Sequence, residues 1–286
     1  MPSNALLRSI TARSFASPIF ARCERPSAAP PSASRRQPGR FERERAQPFF
    51  DLVARLPDGA VRRAADLGCG PGPLTRTLAL RWPDAVVWGV DSSAEMLRAA
   101  RSEPAPPNLR FVEADLAAWQ PEAPLDRIVS NAALQWLPDH ARVLASLVGR
   151  LAPAGALAVQ MPNTDDAPTH RALAELCDAS PWREKLGHGA LRPRIESPAW
   201  YADHLASLDL DVELWETTYY HRLAGPSGVV EWIKGSALRP VLSRLAARDA
   251  EAFLAAYTAR IERLYPAGPH GVLLPYARLF FVAVRR

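Results

Sequence analysis

Residues 64–72 read Ala-Ala-Asp-Leu-Gly-Cys-Gly-Pro-Gly, and this stretch decides the fold. An apolar run that ends in closely spaced glycines predicts a strand followed by a tight turn, because glycine lacks a Cβ atom and tolerates positive φ. The next apolar run ends at Asp91. An acid about 20 residues beyond such a turn can accept hydrogen bonds from both hydroxyls of a ribose. Together the two features predict a strand–turn–helix unit that binds a nucleoside-containing cofactor.

Two details of this loop argue against NAD. The dinucleotide fingerprint has a third glycine, and Pro73 occupies that position here. Asp66 precedes Gly68 closely, so its carboxylate would repel a pyrophosphate and attract a cationic group. S-adenosylmethionine carries an ammonium, a sulfonium and an adenosine, and the loop therefore favours it over NAD. The alternative is that the glycines only permit the turn and bind no cofactor.

The arrangement of Asp66, Gly68 and Gly70 resembles motif I of the class I S-adenosylmethionine-dependent methyltransferases. The resemblance implies an α/β, Rossmann-like fold: a mostly parallel seven-stranded sheet with an antiparallel last strand, and a helical lid insertion. It also implies S-adenosyl-L-methionine as the cofactor. The expected cofactor-binding residues are Asp66, Gly68, Cys69, Gly70, Gly72, Asp91, Ser92, Met96, Asp115, Leu116 and Asn131.

Three of these side chains have structural alternatives. Asp115 follows a predicted strand, where members of this class accept the adenine amino group, but aspartate is also a favoured helix N-cap. Asp91 can bind the ribose or only cap the next helix. Met96 lies one turn into that helix, where it covers the adenine face or packs in the core.

Strands and helices alternate between residues 63 and 161, as hydrophobic periodicity indicates. Strands are predicted near 63–67, 86–90, 109–112, 126–130 and 156–161, and helices near 74–81, 94–102 and 141–151. Continuous apolar strands separated by helices form a parallel sheet that is covered on both faces. Ligands bind beyond the carboxyl ends of such strands, and Asp66, Asp91, Asp115 and Asn131 all fall there.

The alternation ends after Met161. The elements predicted beyond it are a helix near 198–208, a strand near 211–222, helices within 227–265 and a last strand at 278–284. We interpret residues 41–286 as a single methyltransferase domain, with lid insertions near 163–207 and 224–272 over the carboxyl edge of the sheet. Residues 1–40 are rich in Ala, Ser, Pro and Arg and are expected to form a disordered or targeting-like extension.

Composition and charge argue against several kinds of partner. The net charge is +5, but residues 1–45 carry nine Arg and three Glu. The rest of the chain is therefore close to neutral, without the basic face that nucleic acid requires. No apolar run approaches the roughly 20 residues that span a bilayer, and the three cysteines lack metal-ligand spacing. We expect no nucleic-acid, membrane or metal partner, and a cytoplasmic location.

From Phe41 onward the chain is similar to the trans-aconitate 2-methyltransferase family, whose members form the monomethyl ester of that acid. The segments that carry this narrower resemblance are 41–48, 65–72, 130–140 (Ser-Asn-Ala-Ala-Leu-Gln-Trp-Leu-Pro-Asp-His), 160–162, 168–170, 217–221 (Thr-Thr-Tyr-Tyr-His), 238–240 and 278–280. The chain departs from the family just ahead of Phe41, where Ser-Arg-Arg-Gln-Pro-Gly replaces an aromatic-rich stretch.

The implied methyl acceptor is a carboxylate. Carboxylates have a pKa near 4 and are ionised at pH 7, so the transfer needs no general base. Arginines bind carboxylates through paired hydrogen bonds. The candidate substrate-binding residues are Arg45, Arg239, Arg278, Tyr219, Tyr220, His170, His221 and Trp136.

Each substrate candidate also has a structural alternative. The arginines can be surface charges or, for Arg278, a cap of the last strand, and the histidines can be structural. Trp136 can be a core residue or a wall of the site. Tyr219 and Tyr220 alternate across a strand, so at most one of them faces the site.

The favoured function is O-methylation of trans-aconitate or a related small polycarboxylate. Alternatives are a methyltransferase for malonyl-carrier protein, another small-molecule methyltransferase, and a non-catalytic regulator that only binds the cofactor. A carrier protein requires a basic landing patch, which the near-neutral body does not offer. A nucleic-acid methyltransferase is disfavoured, because the loop after the fourth strand lacks an Asn-Pro-Pro-Tyr-type sequence.

Overall fold

The structure is a computed structural model and describes residues 41–187 and 195–286. The predicted extension at residues 1–40, with Cys23, lies outside the described residues. So does a short part of the first predicted insertion, residues 188–194.

Seven strands form one mixed sheet in the order β3-β2-β1-β4-β5-β7-β6. They are β1 (Arg63–Leu67), β2 (Val86–Asp91), β3 (Leu109–Glu113), β4 (Leu125–Asn131), β5 (Leu151–Pro162), β6 (Leu210–Leu223) and β7 (Val272–Arg285). The first five strands pair in parallel, and β7 runs antiparallel to both of its neighbours. The predicted Rossmann-like sheet with an antiparallel last strand is confirmed.

The helices fill the connections between these strands. In the described part of the chain they are α1 (Glu42–Val53), α2 (Pro73–Arg81), α3 (Ala94–Arg101), α4 (His140–Val148), α5 (Pro168–Asp178), α6 (Trp182–Leu186), α7 (Pro198–Ser207), α8 (Pro226–Lys234), α9 (Arg239–Leu242) and α10 (Ala247–Leu264). A 3-10 helix, Leu134–Trp136, follows β4. None of the described helices is long and apolar enough to cross a bilayer.

Two strands, β5 and β7, begin at least five residues before the predicted start. β5 begins at Leu151, and the irregular pairing with β4 near Leu125 carries the strand past Ala154, whose φ is 57°. β7 begins at Val272 and pairs along its whole length with β6, through Pro275. Pro275 is thus accommodated within a paired strand.

Helices pack on both faces of the sheet. One face is covered by α4 and α7, through residues such as Leu144 and Tyr201. The opposite face is covered by α1 and α2, through Phe49 and Leu78. The remaining insertion helices α5, α6, α8, α9 and α10 share a separate apolar core with the ends of β6 and β7. The two insertions therefore pack against each other, except for α7, which lies on the sheet.

Candidate active site

The glycine loop between β1 and α2 adopts a backbone that requires glycine. Gly68, Gly70 and Gly72 have φ values of 79°, 54° and 79°. A Cβ atom on Gly68 would overlap the side chain of Ala133, and one on Gly72 would lie 2.6 Å from the ring of Phe111. A Cβ atom on Gly70 would meet nothing within 4 Å. Gly68 and Gly72 thus permit close packing, whereas the loop at Gly70 can be approached by a ligand.

The carboxylate of Asp91 joins this loop to α3. Its Oδ2 accepts a hydrogen bond from the backbone N–H of Gly70 at 2.8 Å, and its Oδ1 accepts one from Ser93 at 2.9 Å. Each carboxylate oxygen has a second lone pair, so both can still accept from ribose hydroxyls. Ser93 caps α3 through its hydroxyl, whereas Ser92 is exposed.

Asp66 is a buried carboxylate at the end of β1. Thr75 of α2 donates a hydrogen bond to it at 2.6 Å. Burial raises the pKa of Asp66 to about 6; the negative charge of Asp91 adds to this shift and the Thr75 hydrogen bond opposes it. Asp66 is therefore mostly ionised at pH 7, and two neighbouring carboxylates make this edge suitable for a cationic cofactor.

Asp115 and Leu116 lie on the loop after β3. Asp115 is exposed, and its Oδ1 accepts from the backbone N–H groups of Ala117 and Ala118 at 2.7 and 3.3 Å. These bonds fix a turn at residues 116–118 rather than the start of a helix, so the helix N-cap alternative is wrong. Binding of adenine stays a prediction. Arg150 donates to the carbonyl of Leu116 at 2.9 Å, and this fixes the position of the loop.

The other predicted cofactor residues differ in burial. Met96 is half-buried, while its helix buries Leu97 and Ala100 instead. Cys69 is buried, and burial raises the pKa of its thiol above the ordinary value, which leaves it un-ionised. Asn131 ends β4 with its Oδ1 buried and without a partner among the described residues. An acceptor at this position, together with the acids and Gly70, fits S-adenosylmethionine.

Strand register places the substrate candidates Arg278 and Tyr219 on one face of the sheet, together with Asn131. Gln160 of β5 pairs with Asn131 on one side and with Phe280 on the other. Arg278 lies two residues from Phe280, and Thr217 is its partner on β6. Side chains of paired and of alternate residues share a face. Asn131, Gln160, Arg278 and Tyr219 therefore line the face that α1 covers.

Arg278 is a buried cation without an acidic partner. It is 5% exposed, donates to Gln160 Oε1 at 3.0 Å and lies 5.1 Å from the ring centroid of Tyr276. Its Nε has no partner, and no described carboxylate forms an ion pair with it. Burial lowers the pKa of its guanidinium. An uncompensated buried charge costs several kcal/mol, so the geometry fits an anionic ligand.

Arg45 and Arg278 form a cationic cluster, and His221 is its neutral neighbour. Arg45 of α1 donates to the carbonyl of Trp232 at 3.2 Å and lies 5.3 Å from its ring centroid. The rings of His221 and Trp232 are 4.0 Å apart. Burial, and then the charge of Arg278, lower the pKa of His221 to about 4, so its ring is neutral at pH 7. His221 Nε2 has no hydrogen-bond partner in the described ranges.

Tyr219 and His170 lie at the edges of this cluster. The hydroxyl of Tyr219 donates to Asp51 of α1 at 2.5 Å. His170 is hydrogen-bonded to Thr164 and Thr169, both at 3.0 Å. Burial lowers the pKa of His170 to about 4. Both of its ring nitrogens are occupied, which favours the structural alternative for this histidine.

Three predicted residues lie apart from the cluster. Arg239 is exposed at the start of α9, without a hydrogen bond to the cluster in the described chain. Tyr220 is 64% exposed on the opposite face of β6 from Tyr219, as strand alternation requires. Trp136 is 38% exposed, so the core alternative for it is wrong.

Sequence reasoning missed several residues that the fold brings to the site. Trp232, Tyr276 and Asp51 come from segments whose patterns indicate only helix or strand. Gln160 had a signal, since it is the polar residue in the apolar run Ala-Leu-Ala-Val-Gln-Met at 156–161. Among the described residues no group of three His, Cys, Asp or Glu side chains is placed to hold a metal ion.

Comparison with known proteins identifies the family. A family model described as a methyltransferase domain matches residues 64–155. Trans-aconitate 2-methyltransferase from Rhodopseudomonas palustris (strain BisB18) is 45% identical over 248 residues, which are 86% of this chain and 96% of that protein. The enzyme of the same name from Azoarcus sp. (strain BH72) is 47% identical with the same coverage.

A solved structure shares the fold. Phosphoethanolamine N-methyltransferase 2 of Haemonchus contortus, in complex with phosphomonomethylethanolamine and S-adenosylhomocysteine, superposes with a TM-score of 0.51 and 15% identity. The match covers 84% of this chain and 52% of that one. Fold, glycine loop and sequence identity agree, and the chain belongs to the trans-aconitate 2-methyltransferase family of class I methyltransferases.

Proposed function

We propose that this protein transfers a methyl group from S-adenosylmethionine to one carboxylate of trans-aconitate or a closely related small polycarboxylate. The observation that supports this most is the buried guanidinium of Arg278, which lacks an acidic partner in the described chain and lies near a second arginine, Arg45. The names of the relatives point to the same acid.

The mechanism depends on alignment of two oppositely charged reactants. S-adenosylmethionine, when bound, supplies an electrophilic methyl group on its sulfonium. Asp91 would hold the ribose at the glycine loop, and Asp66 would add negative charge beneath the cationic end. Arg278 and Arg45 would hold spectator carboxylates of the acid. Positioning of this kind is worth several kcal/mol of the barrier.

No side chain of the cluster has to remove a proton. The acceptor carboxylate is already ionised near neutral pH because its pKa is near 4. His221, with a pKa of about 4, stays neutral at pH 7 and can act as a hydrogen-bond partner rather than a cation. Arginine charge alone then attracts the acid across the neutral pH range.

We further propose that the helices of the two insertions form a lid over this site. Their shared core includes Trp232 and Tyr276, which border Arg45 and Arg278. The two reactants lose charge as they react, so water would stabilise the ground state more than the transition state. Excluding water from the cluster would therefore favour the transfer.

The decisive experiment incubates the purified protein with labelled S-adenosylmethionine and either a panel of di- and tricarboxylic acids or malonyl-carrier protein. We expect base-labile methyl esters, with the highest kcat/KM for trans-aconitate. Label transferred only to malonyl-carrier protein would replace this function by the carrier-protein alternative. Cofactor binding without turnover on any acid would identify a non-catalytic regulator. The cytoplasmic location stays a prediction.

A further inference from the structure

We propose that Gln160 binds the carboxylate that is methylated, with its carboxamide N–H donating to one oxygen so that the other faces the methyl group. The inference rests on the proposed function and adds a residue to it. Gln160 would thereby determine which carboxylate reacts.

The position of Gln160 is the first argument. Its backbone carbonyl accepts from the N–H of Ala132 at 2.8 Å, and the next residue, Ala133, packs against Gly68 of the cofactor loop. Its side chain reaches Arg278 at 3.0 Å in the opposite direction along the sheet. Gln160 therefore lies between the methyl-donor side and the cationic cluster, where the reacting group of the acid has to be.

The orientation of the carboxamide is the second argument. Its Oε1 accepts from Arg278, because the reverse orientation would set two hydrogen-bond donors against each other. The Nε2 group is consequently directed away from Arg278, and it is fully buried without a partner among the described residues. Arg278 Nε is unpaired as well. Buried donors are nearly always satisfied, so Gln160 Nε2 is free to donate to one oxygen of the reacting carboxylate, and Arg278 Nε remains for another carboxylate of the acid.

The residue type is the third argument. A glutamate in place of Gln160 would have the same shape and would form an ion pair with Arg278, which would satisfy the guanidinium within the protein. Glutamine anchors Arg278 and leaves its positive charge uncompensated. The choice of an amide therefore preserves both the charge and the extra donor for a bound anion.

The test is the substitution Gln160→Glu, which inverts the hydrogen-bonding role and neutralises the cluster. We expect KM for trans-aconitate to rise about 100-fold or more, because like charges would be opposed in a buried site. Binding of trans-aconitate, measured by calorimetry with S-adenosylhomocysteine present, should weaken in parallel. The affinity for S-adenosylhomocysteine itself should stay within about twofold, since that ligand is held by Asp91 and the loop.

A chemical complement sharpens the test. A monocarboxamide analogue of the acid can donate a hydrogen bond to the carboxylate of Glu in the Gln160→Glu protein. That variant should therefore bind the analogue more tightly than trans-aconitate, whereas the parent protein should bind trans-aconitate more tightly. The matched control is Gln120→Glu, which adds the same charge at an exposed position and should leave KM unchanged.

Two outcomes would overturn the inference. One is an unchanged KM for trans-aconitate in a folded Gln160→Glu protein whose parent is active. If that variant fails to fold, Gln160→Met provides a second test, because methionine has a similar length and no charge but lacks the N–H donor. Unaltered kcat and KM in Gln160→Met would equally refute the role. By contrast, a parent protein that methylates no polycarboxylate would refute the proposed function itself.

Discussion

The backbone N–H of Gly70 donates a hydrogen bond to the carboxylate of Asp91 at 2.8 Å. The same carboxylate accepts from Ser93 at the start of α3. One side chain therefore fixes the glycine loop relative to the next helix. The acid at the end of β2 has this structural role, and its remaining lone pairs are those with which we predict that it binds a ribose.

The substitution Asp91→Asn tests this double role. The amide retains one acceptor but places an NH2 group against a backbone donor, so we expect the affinity for S-adenosylmethionine to fall about 10- to 100-fold. KM for the acid at saturating cofactor should change little. Calorimetry and steady-state kinetics measure the two quantities. Asp84→Asn, at an exposed position, is the control, and equal losses in both parameters would contradict the assignment.

The glycines of the loop should respond differently to alanine. Gly68→Ala places a Cβ atom against the side chain of Ala133 and holds a non-glycine residue in the left-handed conformation. The free energy of unfolding should therefore fall by about 3 kcal/mol or more. Gly70→Ala meets no neighbouring atom and should lose only about 1 kcal/mol. Its methyl group should nevertheless weaken cofactor binding. Denaturant titration and calorimetry distinguish the two effects, and normal cofactor affinity in Gly70→Ala would exclude a ligand at that position.

Substitution of Arg278 should raise KM for the acid much more than substitution of Arg239. Arg278→Met removes charged hydrogen bonds, so KM for the acid should rise about 100-fold with cofactor affinity nearly unchanged. Arg239→Ala should have a smaller effect, since that side chain is exposed outside the cluster. Arg244→Met, at another exposed position, serves as the control. A larger increase in KM for the Arg239 variant than for the Arg278 variant would show that the acid binds away from β7.

The raised pKa of Asp66 predicts two pH effects of opposite sign. Folding raises this pKa from 3.8 to about 6, so the folded state holds the proton more tightly. The unfolding free energy of the ligand-free protein should therefore decrease as the pH rises from about 4 to 6. Cofactor affinity should instead fall by up to about tenfold between pH 7 and 5, because the carboxylate is neutralised.

The variant Asp66→Asn separates these effects. Its free energy of unfolding at pH 7 should exceed that of the parent, since a buried charge is removed. It should also bind S-adenosylmethionine more weakly. Its affinity should also lose the dependence on pH between 5 and 7. Thermal unfolding and calorimetry at several pH values provide the measurements; a pH dependence identical to that of the parent would assign the titration to another group.

The sequence predicted the cofactor half of the molecule in more detail than the substrate half. The glycine loop, Asp91 and the strand ends follow one another locally, so spacing alone places them at one edge of the sheet. Arg278 and His221 were candidates only through the family resemblance. Their neighbours Trp232, Tyr276 and Asp51 come together through strand pairing and helix packing between distant segments, which local patterns do not encode.

β7 follows β6 in the chain but is inserted between β5 and β6 in the sheet. On the ribosome, residues 272–285 are therefore made after every other strand, although they supply apolar residues to the cores on both faces of the sheet. Arg278 enters only when this interior strand is inserted. A prematurely terminated polypeptide would therefore lack the guanidinium and an interior strand of the sheet at once.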